Sequence, residues 1–265
     1  MDIKIRLETP ADYHAVEAVA RETFWDGNWD IQPKVTDIHL LVSKLRKCES
    51  YVPELHYVAE IDDKIVGHII YTKSRIEDDA GNSHETLTFG PLSVLPEYQS
   101  KGIGKALMLH SFAEAKRLGY RAVIIFGYPS YYPRIGFRHC SDFSIKPSGD
   151  EGADDSFMVY PLYDGALDGI NGTYYIDSVY YSLTPEDALE YDKKFPPKAL
   201  HVPVSIDAVI NRLKPDAQVS IRKLNLATLH ALTTKSEREL RTLNGIDDMA
   251  IKTIRMVLHD NGKYW

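Results

Sequence analysis

Ile3, Ile5 and Leu7 alternate with Lys4 and Arg6, the two-residue period of a half-buried strand. Thr9 followed by Pro10 then opens a helical pattern in which Val16, Val19, Ala20 and Phe24 share one face. Ile38, Leu41, Val42 and Leu45 predict a second helix over 37–47. The runs 56–61 and 64–72 read as strands joined by a hairpin turn at Asp62 and Asp63. A further strand over 87–95 leads into an amphipathic helix over 101–118, which Gly119 closes. Residues 122–126 are continuously apolar, as in a strand covered on both faces. After a proline-containing turn, 137–145 and 157–162 supply two more strands. The order of strand, two helices, three strands, helix, strand, short helix and strands predicts a mixed α/β domain over one sheet.

From Tyr163 the pattern becomes irregular and rich in Tyr, Gly and Pro, and 163–204 is expected to be an extended tail lying on the first domain. The end of the chain is helical again. Ser236 with Glu239 forms a capping box opening a helix through Leu243, which Gly245 closes. Asp247 or Asp248 can cap a last helix containing Ile251, Ile254, Val257 and Leu258, terminated by Asn261 and Gly262. The expected division is therefore 1–162, the tail 163–204, and a small helical domain 205–265.

Charge narrows the partners. The net charge of −7 argues against a chain-wide nucleic-acid or membrane surface. It is unevenly spread, because ten Lys and Arg stand against seven Asp and Glu from Ser205 onward. Cys48 and Cys140 lie far apart, with no spacing for a disulfide framework or a zinc knuckle. The N-terminus reads as a strand and not as a signal peptide, and no apolar run approaches membrane length, so a cytoplasmic protein is expected.

The chemistry concentrates at Gln99, Ser100, Lys101, Gly102, Ile103, Gly104 and Lys105, between a strand and a helix. Glycines there remove the Cβ atoms that would hold a ligand off the backbone. The first turn of the helix offers unpaired N–H groups and the positive end of its dipole, a cradle for an anion such as phosphate. Ala106 replaces the Ser or Thr of a Walker A loop, and Leu107 replaces the third glycine of a dinucleotide fingerprint.

Three stretches together resemble the GNAT (Gcn5-related N-acetyltransferase) superfamily, and most of all a bacterial group known only as predicted acetyltransferases. They are Gln99-x-x-Gly102-x-Gly104, the preceding residues 90–98, and residues 131–137 ending in Gly136 and Phe137. The resemblance covers about 3–197. It implies a mostly antiparallel mixed sheet flanked by helices, with acetyl-CoA as co-substrate. The N–H groups of 100–105 would hold the pyrophosphate, and the edge of Leu92, Ser93 and Val94 would pair with the pantetheine arm. Lys101 and Lys105 would add charge. Tyr132 matches the general acid that protonates the departing CoA thiolate. The family often has Asn shortly before this tyrosine, whereas this chain has Gly127, Tyr128, Pro129 and Ser130.

The general base is less determined. Glu60, His68, His84 and Glu85 lie on or near the strands that could face the acceptor, and Glu60 and Glu85 are put forward. Trp25, Asp26, Trp29 and Asp30, between the first two helices, suit a cationic amine through aromatic faces and carboxylates. The alternative reading has one tryptophan anchoring the loop in the core. No arrangement of His, Asp and Glu suggests a metal, and none is expected.

Residues 220–262 resemble the helix-hairpin-helix C-terminal domain of the RNA polymerase alpha subunit, through Ser220, Arg222, Asn225, 236–240 and 243–247. Asp247 and Asp248 stand where that family has Gly and Lys, and two carboxylates there repel phosphate. Nucleic acid and membrane are therefore not expected as partners. The expected activity is acetyl transfer to a primary amine on a small molecule or peptide. A protein acetyltransferase docking its target through 205–265 is one alternative, with a dimer contact there also open, and a non-enzymatic acyl-CoA sensor is another.

Overall fold

A computed structural model of the chain describes residues 2–25, 35–149, 155–198 and 204–260. Strand β1 (Lys4–Leu7) leads through a 3-10 turn, where Asp12 accepts from the Thr9 N–H at 2.8 Å, into α1 (Tyr13–Phe24). Helix α2 (Ile38–Leu45), the strands β2 (Tyr57–Ile61), β3 (Lys64–Glu77) and β4 (Ser83–Val94), and α3 (Ile103–Arg117) follow. Next come β5 (Ala122–Phe126), β6 (Arg138–His139), β7 (Ile145–Pro147), β8 (Phe157–Pro161), β9 (Gly172–Tyr175) and α4 (Pro185–Asp192). The sheet runs β1-β2-β3-β4-β5-β8-β6, with β9 pairing both β3 and β7. The pairs β4–β5 and β7–β9 are parallel and the rest antiparallel.

Helices cover both faces of this sheet. Tyr71 and Ile70 are neighbours in β3 and so point oppositely. The Tyr71 hydroxyl meets Ser111 of α3 at 2.7 Å, whereas Ile70 packs on Leu41 and Leu45 of α2. Ile103, Leu107, Met108, Phe112 and Ala115 of α3 are buried in the same core as Val16, Val19 and Ala20 of α1.

The structure departs from the sequence expectation in three places. β3 and β4 run past their expected limits at Thr72 and Leu87, where Ser74 and Thr86 face each other, buried and hydrogen-bonded at 2.9 Å. Hydroxyls satisfying one another read as surface residues in a sequence. The strand expected over 137–145 is broken by a 3-10 turn, Cys140–Phe143, and a left-handed Ser144 (φ 56°). Residues 163–198 contribute β9 and α4, and Tyr174 of β9 is buried against Ile76, Ile124 and Phe157.

Polar contacts seat α4 on the first helices. Arg21 donates to Asp192 at 2.6 Å, and the Tyr191 hydroxyl donates to Glu17 at 3.0 Å. His39 is wholly buried beside Tyr191 and Phe195, and burial lowers its pKa to about 4 although Asp192 lies 3.3 Å away. A folded-state value below the usual one means that the unfolded chain binds the extra proton between pH 6.5 and 4. We therefore expect His39 to cost roughly 3 kcal/mol of stability as pH falls through that window. His39→Gln should flatten the pH dependence of urea midpoints there.

Residues 204–260 form a second unit with α5 (Asp207–Ile210), α6 (Pro215–Arg222), α7 (Leu229–Thr233), α8 (Glu237–Arg241) and α9 (Asp248–Asp260). Its core joins Val209, Ile210, Ala217, Ile221, Leu232, Leu240, Ile254 and Val257. The capping box is present: Ser236 N–H donates to Glu239 at 2.6 Å, and Glu239 N–H to Ser236 Oγ at 3.2 Å. Gly245 is left-handed (φ 79°), and a Cβ there would lie 2.6 Å from the Ala217 nitrogen. Asp247 caps α9 by accepting from Ala250 N–H at 2.8 Å. Asn261 and Gly262 lie outside the described residues. Among those described, no helix is long and apolar enough to cross a membrane.

Candidate active site

β4 and β5 are joined at one register pair, Leu87 with Val123. Beyond it, the side of β4 turned away from β3 has no strand partner among the described residues, and this unpaired edge includes Leu92, Ser93 and Val94. After that edge and a short 3-10 turn, Pro96–Tyr98, comes the glycine turn. Ser100 (φ 59°) and Gly102 (φ 86°) are both left-handed, flanking Lys101. Alternating backbone of this kind gathers N–H groups into an anion-binding concavity. Gly102 is also the N-cap of α3, with no side chain capping the first turn, so the N–H groups of Ile103, Gly104 and Lys105 lack helical acceptors.

The turn is tied to the strand by Gln99, whose Nε2 donates to Val94 O at 3.0 Å. Lys101 Nζ donates to Glu97 O at 2.6 Å and lies 5.2 Å from the Tyr98 ring, so a phosphate would have to draw it from these contacts. A Cβ on Gly102 would meet nothing within 4 Å. Conformation, not space, reserves the position, because a side chain in left-handed backbone costs about 1–2 kcal/mol. Gly102→Ala should weaken CoA binding about tenfold by calorimetry, and unchanged affinity would remove the turn from the site.

Tyr132 opens the 3-10 turn Tyr132–Ile135. Its ring packs on Phe89 of β4 (centroids 6.0 Å) and Phe137 (5.3 Å). Gly127, at the end of β5, makes room for it: a Cβ at 127 would sit 2.5 Å from Tyr132 Cδ2. Two chain segments thus bring a phenol beside the β4 strand whose edge is open.

Residues 21–137 match the sequence profile of the Acetyltransferase (GNAT) family. The Escherichia coli protein YhbS, solved in complex with CoA, superimposes with a TM-score of 0.59 at 23% identity, over 69% of this chain and 93% of that one. The fold is that of the GNAT acetyltransferases. A GNAT acetyltransferase from Brucella melitensis, solved with acetyl-CoA, gives a TM-score of 0.52 at 24% identity, over 68% of this chain and 98% of that one. Among curated proteins, the uncharacterized N-acetyltransferase YjhQ of E. coli is 35% identical over 101 residues, 38% of this chain. The match spans 55% of YjhQ's own length. The uncharacterized N-acetyltransferase YhbS is 27% identical over 169 residues, 63% of this chain and 92% of its own. The named relatives and the GNAT fold together support an N-acetyltransferase.

Within the GNAT frame, three acceptor-side expectations meet contrary geometry. Trp25 is 3% exposed, and the Arg21 guanidinium lies 4.3 Å from its ring centroid, so that aromatic face is already occupied by a cation of the protein. It anchors the end of α1. Asp26, Trp29 and Asp30 lie outside the described residues. Glu60 accepts from Arg6 Nε at 2.8 Å and pairs with Lys4 at 3.1 Å, and hydrogen bonding from Arg6 lowers its pKa. A base needs the reverse. Glu85 is exposed and paired with Lys73 at 3.2 Å. It stands seven residues up β4 from Leu92, roughly 23 Å along the strand. His84, at the same end, contacts Asp78 at 3.0 Å.

Sequence reasoning missed two glycines. A Cβ on Gly67 of β3 would approach Ser93 O at 2.9 Å, so Gly67 admits the close passage of β4, and Gly127 admits Tyr132. The signal available was a glycine inside each apolar stretch. Among the described residues, no three His, Cys, Asp or Glu side chains converge as a metal site.

Proposed function

We propose that the first unit transfers the acetyl group of acetyl-CoA to a primary amine, by direct attack in a ternary complex. The observation that carries this reading is the unpaired β4 edge followed, after the 3-10 turn Pro96–Tyr98, by the left-handed turn at the start of α3. Pantetheine amides would pair along Leu92, Ser93 and Val94. The pyrophosphate would rest on the N–H groups from Ser100 to Lys105. The amine nitrogen bonds to the acetyl carbon while the C–S bond breaks, and Tyr132 delivers a proton to the thiolate. A small-molecule acceptor is the first reading, and a peptide amine fits the same chemistry. A phenol beside the open edge favours transfer over the sensing of acyl-CoA, because a sensor has no use for an acid at sulfur.

The turn between α8 and α9 supports a helix-hairpin-helix reading of the second unit. Asp247 caps α9 and also pairs with Lys214 at 2.9 Å, and Asp248 pairs with Arg241 at 2.7 Å. Carboxylates at this turn favour a protein partner over nucleic acid.

The test is CoA affinity by calorimetry together with thiol release from acetyl-CoA. The acceptor panel is spermidine, tyramine, glycinamide and a lysine-bearing peptide. Tight CoA binding with release above the enzyme-free rate for at least one amine supports the proposal. Tight binding with no release for any of them would favour the sensor.

A further inference from the structure

We infer that His68 and His56 form a buried proton path, starting at the acyl site by Ser93, that removes the proton of the attacking amine while the Glu8 carboxylate balances the charge on His56; this rests on the transfer reading above. In the register of the sheet His68 of β3 stands opposite Ser93 of β4, so the two side chains share a face. Ser93 is the middle residue of the open edge. His68, His56 and Ser93 are all wholly buried, and the two imidazole rings are 5.6 Å apart. His56 Nδ1 in turn lies 2.9 Å from Glu8 Oε2 and 3.0 Å from the Tyr51 hydroxyl.

This row contains an unusual concentration of unpaired groups. Among the described residues, His68 Nδ1, His68 Nε2, His56 Nε2 and Ser93 Oγ are buried with no hydrogen-bond partner. Protein interiors pair the great majority of such atoms, and polar gaps between them are where ordered water sits. Two imidazoles this close can hand a proton along the row. A neutral imidazole accepts a proton on one nitrogen and releases one from the other. Burial keeps both rings neutral near pH 7, the form that can relay. The charged and titratable groups facing this path include Glu8, Asp12, Glu54 and Arg46, with the Tyr51 and Tyr13 hydroxyls.

The protons balance. As the C–N bond forms, the nitrogen loses one proton to His68, and the path passes one on to His56, where the ionised Glu8 carboxylate 2.9 Å away balances the imidazolium. The C–S electron pair stays on sulfur, which takes the Tyr132 proton. Once the products leave, the proton returns along the same path and solvent reprotonates Tyr132. Glu60 and Glu85, held by Arg6 and Lys73, are not needed.

The test uses the full chain, acetyl-CoA and the fastest amine of the panel, with 1,2-dimethylimidazole added at constant ionic strength. This bulky base is a poor nucleophile but carries protons. His68→Gln and His56→Gln should each lower kcat on the order of tenfold or more, leave CoA affinity within about twofold, and regain rate as the added base rises. Wild type should be indifferent to it. Variants as fast as wild type, or slow variants unmoved by the base, would overturn the path while leaving transfer intact. Should His68→Gln fail to fold by circular dichroism, His56→Gln and Ser93→Ala carry the same comparison. Wild type that binds CoA but acetylates no amine sinks both readings together.

Discussion

Replacing Arg46 by methionine is expected to cost the first unit about 3–5 kcal/mol, the usual consequence of removing one partner of a buried ionic group. Arg46 donates to Glu8 at 2.6 and 3.0 Å and to Glu17 at 2.5 Å, and its guanidinium lies 4.2 Å from the Tyr13 ring centroid. The side chains of Arg46, Glu8 and Glu17 are 5%, 2% and 9% exposed. Methionine fills much of the volume but leaves two carboxylates buried without their cation. The pH dependence fixes the cause. Burial pushes the Glu8 carboxyl up, but hydrogen bonds from His56 and Arg46 outweigh it and hold the group below its usual range. Its stabilisation is present above the ordinary carboxylate range and is lost as pH falls through the depressed value. Without Arg46, burial dominates, and the acid limb of the stability curve should move upward. Urea unfolding at several pH values measures both effects, and a loss below about 1 kcal/mol would mean that water reaches the carboxylates.

Tyr132→Phe should slow thiol release about 100-fold, near the lower end for a proton donor positioned in the transition state. That is close to 2.7 kcal/mol on the barrier. Phenylalanine keeps the ring on Phe89 and Phe137, so stability and CoA affinity should hold while kcat falls. A variant that loses CoA affinity and rate equally would make Tyr132 a packing residue of the cofactor site. Full activity would exclude it as the acid.

Much of this was legible in the chain because the relevant physics is local. Gly102 marks a helix start where left-handed backbone disfavours a side chain, and the capping box at Ser236 and Glu239 is complete within one turn. What was hidden depends on distant partners. β9 is four residues long and becomes a strand through β3 and β7, which supply its edges. Trp25 looked like a free aromatic face because Arg21 is its neighbour only once α1 is wound. His68 sits among Val66, Ile69 and Ile70 and reads as an edge residue of a strand. Its meaning comes from Ser93 and His56, which the register and the loop before β2 bring to it.

Gly127 and Tyr132 carry a consequence for how sequences of this kind can change. The volume a Cβ would occupy at 127 is filled by the tyrosine ring, so the two positions are sterically coupled. Substituting the glycine alone displaces the ring, and replacing the tyrosine alone by a small residue leaves a gap beside Phe89. A lineage could abandon the pair together far more easily than either half. Divergent chains that keep this tyrosine should therefore keep the glycine five residues before it, and those that have lost the tyrosine should be free to carry alanine there.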